Sequence, residues 1–310
     1  MIGTKSVPPP SPDMTATTPS AKVAMKSAIG QIHQAMAAVS SACISRYANP
    51  MPKLAANLSL LFPQLPFGER FAAAAKAGFR YVEYQFPYSF GSAKETAEHA
   101  RAAGVEVVLH NLPAGDASKG DRGIACQPGR VNEFRESVER AIEYAKAVGC
   151  PCLNTLAGIA PDGVPRDKLR ETLVENLRYA AGRFKAAGLT LLTEPCNPRT
   201  IPGFFLNTSK QAIETIDAVG ADNLLLQYDV FHMQIVEGDL AKTIERLLPR
   251  IGHIQIADVP ERNEPGTGEI NFHWLLPHID RLGYKGWIGA EYIPKGDTVE
   301  GLKWATPYLK

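Results

Sequence analysis

The chain has 310 residues, enough for one large barrel domain and short for two. Its charge is nearly balanced, with 33 Lys+Arg against 32 Asp+Glu. That argues against a nucleic-acid partner, which calls for excess positive charge to neutralise phosphates, and leaves room for a small anionic substrate. Five cysteines without regular spacing do not read as a disulfide framework, and no apolar run approaches the ~20 residues needed to cross a bilayer. The expectation is a cytoplasmic protein with reduced thiols and no membrane partner.

Residues 1–50 stand apart. They begin Pro-rich and carry one acid, Asp13. Met25, Ile29, Ile32, Met36, Val39 and Cys43 recur at alternating spacings of four and three, one face of an amphipathic helix. A basic, acid-poor helix of this kind suits organelle targeting, though Arg46 is its lone arginine. The preferred reading is a disordered leader, or an upstream start before a true start at Met51. The catalytic domain is placed at 51–310.

From Met51 onward, short apolar runs begin near Leu54, Tyr81, Val105, Cys152, Thr190, Leu224, Ile251 and Trp287. Each reads as a buried parallel strand. Amphipathic helices are expected between them, over Phe67 to Ala77, Ala93 to Ala103, Val131 to Val148, Leu169 to Ala187, Ser209 to Val219, Leu240 to Leu248, Phe272 to Leu282 and Val299 to Tyr308. Helix-ending glycines such as Gly104, Gly149 and Gly220 fall just before strands. Eight βα units without a Gly-rich phosphate fingerprint predict a closed (β/α)₈ TIM barrel rather than a doubly wound open sheet, and no nucleotide cofactor.

In such a barrel, chemistry collects where strands end. The apolar runs end in Glu83, His110-Asn111, Glu194, Asp229 with His232 one turn onward, Gln255 to Asp258, and Glu291. Polar residues often end strands simply to meet water. Four carboxylates with two histidines and a glutamine converging on one mouth exceed what solvation asks for. Glu194, Asp229, Gln255 and Glu291 make an oxygen-rich set suited to Mg²⁺ or Mn²⁺. This reading is preferred over a metal-free network in which Gln255 only orients a carboxylate. The long 111–127 loop has the length and composition of a functional lid, and Arg262, in the 258–271 loop, suits two-pronged binding of a substrate carboxylate. His99, His253, His273 and His278 read as structural or surface residues.

The segments HNLPAGD (from His110), RGIAC (from Arg122), QYDVFHMQ (from Gln227), IGHIQIAD (from Ile251), EPGTGEIN (from Glu264) and GWIGAEY (from Gly286) resemble the hydroxypyruvate isomerases, a group of xylose-isomerase-like barrels. The resemblance covers essentially everything after Met51. It implies interconversion of hydroxypyruvate and 2-hydroxy-3-oxopropanoate through an enediolate, with Glu194 and Glu291 as the acid/base pair. It implies that His110, His232 and Arg262 contact this small hydroxy-keto acid. Gln255 stands where the metal-bound histidine of related ketose epimerases falls. The competing readings are a 2-oxo-tetronate isomerase or ketose epimerase on the same barrel, and a non-catalytic sugar-acid binding protein. A DNA-repair endonuclease is disfavoured by the neutral charge and the few strand-end histidines. Barrels of this kind often dimerise through helices, but no patch in the sequence identifies a homo-oligomer interface.

Overall fold

Runs such as Leu-Leu-Leu at 224–226 have both faces apolar, which suits strands covered by a helical layer outside and packed against one another inside. In the computed structural model, which describes residues 52–309, eight such runs pair in parallel. They are β1 (Lys53–Asn57), β2 (Tyr81–Tyr84), β3 (Glu106–Asn111), β4 (Cys152–Leu156), β5 (Thr190–Glu194), β6 (Leu224–Asp229), β7 (Ile251–Ile256) and β8 (Trp287–Ala290). Their order is sequential and β1 closes on β8, so the sheet is a closed barrel, as expected. The proposed leader at 1–50 lies outside the described residues.

The helices follow local signals. Ser92 starts the helix Ala93–Ala103 by accepting from the backbone N–H of Glu95, whose side chain reaches back to the Ser92 N–H; Gly104, at φ 69°, ends it in the left-handed region. Such a cap is worth about 1 kcal/mol. The helices Val131–Val148 and Arg166–Ala186 bury Phe134 and Phe184 against the outer faces of the strands, each contributing on the order of 1.5–3 kcal/mol. Two elements differ from expectation. A short helix, Val230–Val236, follows β6 directly, and the C-terminal helix is one turn, Thr298–Gly301, continued as a 3₁₀ segment over Leu302–Tyr308.

The period of two along each strand decides which residues face the barrel lumen. Leu109, Cys152 and Leu192 form an apolar cluster of their own, joined by Leu225 and Trp287 and separate from the large core between strands and helices. Two residues onward along the same strands stand Asn111, Asn154, Glu194 and Gln227. The lumen is therefore apolar at its base and polar toward the strand ends. No helix among the described residues is long and apolar enough to cross a membrane.

Candidate active site

A cavity of about 640 Å³ opens at the C-terminal ends of the strands, with Glu194, Cys196, His232, Arg262 and Glu291 in its walls. Glu194 ends β5, and Glu291 follows β8 immediately. Both are 4% exposed. With Asp229, at the end of β6, they offer carboxylate oxygens that all lie within 4.8 Å of one another. The strand ends thus bring together three of the four expected metal ligands and both expected acid/base residues.

The guanidinium of Arg262 sits among these carboxylates. Its Nη2 donates to Asp229 Oδ2 at 3.1 Å and to Glu291 Oε2 at 2.5 Å, and its Nε reaches the Glu291 carbonyl at 3.4 Å. The ring of Phe231 lies 4.9 Å from its centre. Burial lowers the pKa of this guanidinium, but Glu291, Asp229 and Glu194 outweigh that and hold it above its ordinary value. The loop is arranged around Asp258. Its Oδ1 accepts from the N–H groups of Val259 and Ile270, and its Oδ2 from those of Gly266 and Gly268, at 2.9–3.0 Å. Gly268 must lack a side chain, because a Cβ there would strike the carbonyl of Val259. Arg262 itself adopts φ 59°, an uncommon conformation for a non-glycine residue.

Three buried carboxylates face one guanidinium, because His232 brings no charge. Burial holds its pKa at about 4, with Asp229 only partly opposing. Its Nδ1 accepts from the Asn197 N–H at 3.2 Å, and its Nε2 lies 3.3 Å from Arg262 Nη1, which can only donate. The same Nε2 lies 3.6 Å from Asp229 and 3.9 Å from Glu194. The charge deficit appears in the acids. Burial, then the negative charges of Glu291 and Asp229, push Glu194 well above the ordinary carboxylate range. Burial pushes Glu291 up to about 7, with Arg262 pulling the other way. A proton or a divalent cation relieves such a deficit, and three hard carboxylates suit Mg²⁺ or Mn²⁺. The donor set therefore fits a metal. Cys196 does not belong to it as a thiolate, since burial holds its thiol protonated.

Beneath the cavity the polar residues form a continuous belt. Asn57 donates to Glu291 Oε1 at 3.3 Å and to Glu83 Oε1 at 2.9 Å. Glu83, fully buried on β2, also accepts from Gln255 at 2.8 Å and lies 2.6 Å from His253 Nε2. Gln227 then donates to Gln255 Oε1 at 2.7 Å and to Glu194 Oε2 at 2.9 Å. Asn154 adds a second donor to Glu194 Oε2 at 2.7 Å, and Gln85 one to Glu291 Oε1 at 2.8 Å. Gly289 leaves the space that Glu83 fills, because a Cβ there would collide with its carboxylate. Gln255 thus has both ends of its amide engaged within this belt, and His253 is the buried partner of Glu83.

His110 corrects an expectation. Its neighbours Leu109 and Asn111 face the lumen, so alternation turns His110 outward into the helical layer, among Tyr84, Tyr88 and Tyr144. It is fully buried, and burial lowers its pKa to about 4. Tyr88 and Asn111, not His110, form the adjacent cavity wall. The amides of Asn57, Gln85, Asn154 and Gln227 were not singled out in the sequence, although polar residues inside apolar runs are a usable signal for them.

A family model described as xylose isomerase-like TIM barrel matches residues 71–308. The chain belongs to that family. Over 259 residues it is 49% identical to a hydroxypyruvate isomerase of Escherichia coli (strain K12), covering 83% of this chain and all of that one. It is 44% identical to a 2-oxo-tetronate isomerase of Pectobacterium atrosepticum over 84% of this chain and 99% of that one. A solved structure described as an AP endonuclease, family 2, from Brucella melitensis shares 43% identity at a TM-score of 0.82, over 84% of this chain and all of that one.

Proposed function

We propose that this member of the family isomerises hydroxypyruvate to 2-hydroxy-3-oxopropanoate by proton transfer between Glu291 and Glu194. The observation that carries this reading is the pair of buried, pKa-shifted carboxylates whose oxygens meet within 4.8 Å in one cavity, in a chain 49% identical to a hydroxypyruvate isomerase. A carboxylate takes a proton from carbon only when its basicity is raised and the developing oxyanion is stabilised.

The protonation states divide the labour. Arg262 against Glu291 favours its ionised form, which makes Glu291 the first base. Glu194 accepts two amide donors at Oε2, leaving Oε1 to carry a proton into the cavity. Glu291 takes a proton from C3, the electron pair forms the C2–C3 double bond, and negative charge develops on the C2 oxygen. The guanidinium of Arg262, with His232 beside it in the cavity wall, faces that oxygen and stabilises its charge. Glu194 then delivers a proton to C2 while the C3 hydroxyl passes its own to the C2 oxyanion, the carbonyl reforms at C3, and exchange with solvent returns Glu291 to its ionised and Glu194 to its protonated form.

The metal candidates are Glu194, Asp229 and Glu291; the Gln255 carbonyl, the expected fourth donor, already accepts from Gln227 at 2.7 Å. A bound Mg²⁺ or Mn²⁺ would add electrostatic stabilisation of the enediolate oxygens. Turnover of hydroxypyruvate, 2-oxo-tetronates and free ketoses, each with EDTA and with added Mg²⁺ or Mn²⁺, tests the proposal. Hydroxypyruvate as the best substrate supports it. A larger kcat/KM for the four-carbon acids moves the chain to the 2-oxo-tetronate isomerases, and turnover of ketoses alone overturns the acid reading.

A further inference from the structure

The same cavity has a second cationic region. Besides Arg262, its walls include Arg122 and Arg140, with Asp121 beside them. Asp121 is already neutralised by Arg130 at 2.7 Å, and Arg130 also holds Glu133 at 2.6 Å. Arg122 and Arg140 form no ion pair among the described residues; their guanidinium hydrogen bonds go to backbone carbonyls, Arg122 to Asp121 at 2.8 Å and Arg140 to Tyr88 at 3.2 Å. The Arg140 guanidinium also lies over the Tyr88 ring, 4.9 Å from its centre. Both arginines are exposed, whereas Glu194 and Glu291 are buried. These cations therefore stand at the rim and the reacting pair at the floor.

The rim is held in place. Gly123, next to Arg122, bridges Ala157 just beyond β4. Gly123 and Gly158 cross so closely, at φ 100° and 96°, that a Cβ on Gly123 would strike the Leu156 carbonyl and one on Gly158 the Gly123 carbonyl. Asp121 ties the loop from inside by accepting from the Asp116 N–H at 2.6 Å. The 111–127 segment is thus a fastened wall that positions its arginine.

Arg262, the sequence's candidate for holding the substrate carboxylate, is committed to two protein carboxylates. A third would compete with Asp229 and Glu291 for the same N–H groups. From these observations we propose that Arg122 and Arg140 form the carboxylate-recognition subsite, gripping the acid end of the substrate at the rim while its C2 and C3 reach the glutamates. Arg262, held against Asp229 and Glu291, then acts on the enediolate through its charge alone. This assignment rests on the hydroxy-keto acid reading of the site.

The test compares the intact chain with Arg122→Gln, Arg140→Gln and the double variant. The readouts are kcat and KM for hydroxypyruvate at several salt concentrations, and calorimetric binding of tartronate, a non-isomerisable three-carbon diacid. Charged hydrogen bonds of this kind are worth a factor of roughly 10–100. Accordingly, KM and the tartronate Kd rise about tenfold or more in each single variant, with kcat within about threefold, and the salt dependence of kcat/KM shrinks. Arg→Lys variants recover part of the loss, since they keep the charge but not the fork. KM and Kd within twofold of the parent in the double variant overturn the subsite, as does a fall in kcat at constant KM. If the parent turns over no 2-oxo acid, yet tartronate binding still depends on both arginines, the proposed reaction fails and the subsite stands.

Discussion

Arg262 Nη2 lies 2.5 Å from Glu291 Oε2, at the one carboxylate proposed to act as base. The contact joins the loop after β7 to the end of β8, and the same nitrogen reaches Asp229 on β6. One side chain therefore neutralises part of the acid cluster, fixes the orientation of Glu291 and presents positive charge to the cavity. Removing Arg262 leaves buried carboxylates unpaired, a change that costs roughly 3–5 kcal/mol in comparable sites. Arg262→Ala is expected to unfold at lower denaturant than the parent, with a midpoint that falls further as pH rises. An unchanged midpoint would show that protons on the acids already compensate fully.

Replacing either acid by its amide keeps the shape and removes the proton chemistry. Glu194→Gln and Glu291→Gln are each expected to lose on the order of 10²–10⁴ in kcat, with unchanged far-UV circular dichroism. Near-normal turnover by either variant removes that residue from the mechanism.

The pH dependence follows from the raised acids. Activity needs Glu291 ionised and its partner able to donate, so kcat/KM should rise with pH through an acid limb near 7. The stability contribution runs oppositely. Glu291 has a folded pKa of about 7 against an ordinary 4.5, so the native state binds more protons between those values. Its contribution is fully present below about 4.5 and is lost as pH rises through about 7. Unfolding midpoints of the metal-free chain measured across that window should fall. A rise across the window would place the ionised form, not the protonated one, as the better satisfied.

A divalent cation at the acid cluster replaces protons as the compensating charge. Added Mg²⁺ or Mn²⁺ should raise the melting temperature of the parent and move the acid limb to lower pH, and Asp229→Asn should weaken both effects. Neither effect appearing at millimolar ion would mean that the cluster relies on Arg262 and protons alone.

The belt beneath the cavity links Glu291 to Glu194 through Asn57, Glu83, Gln255 and Gln227. Glu83 Oε1 accepts from two amides and Oε2 faces His253 Nε2, so Glu83→Gln keeps the first contacts only by turning an NH₂ towards the imidazole in place of a carboxylate oxygen. Such an unsatisfied buried group costs about 1–3 kcal/mol. The expected result is a kcat reduced about tenfold with little change in KM, because the belt positions the glutamates and touches no substrate. Loss expressed wholly in KM would contradict that role.

Much of the fold was legible because period and punctuation agree. The start of every strand was placed within a residue or two, and Gly104, Gly149 and Gly220 mark helix ends in the left-handed conformation. The helix Val230–Val236 was missed because it begins inside a segment that reads as a strand end. Asp229 starts it by accepting from the Phe231 N–H at 2.8 Å. Glu194, Asp229 and Glu291 were visible as carboxylates closing apolar runs. His110 was misplaced because proximity to a strand end was given more weight than alternation along the strand. The commitment of Arg262 to Glu291, and the lack among the described residues of an acidic partner for Arg122 and Arg140, depend on contacts between distant loops that no local pattern encodes.

The central claim is proton transfer through an enediolate between Glu291 and Glu194. Hydroxypyruvate deuterated at C3 and isomerised in ordinary water tests it most directly. The account predicts that deuterium is lost to solvent and that the product carries solvent hydrogen at C2. Complete retention of deuterium at C2 would mean that hydrogen moves directly between the carbons, and would contradict it.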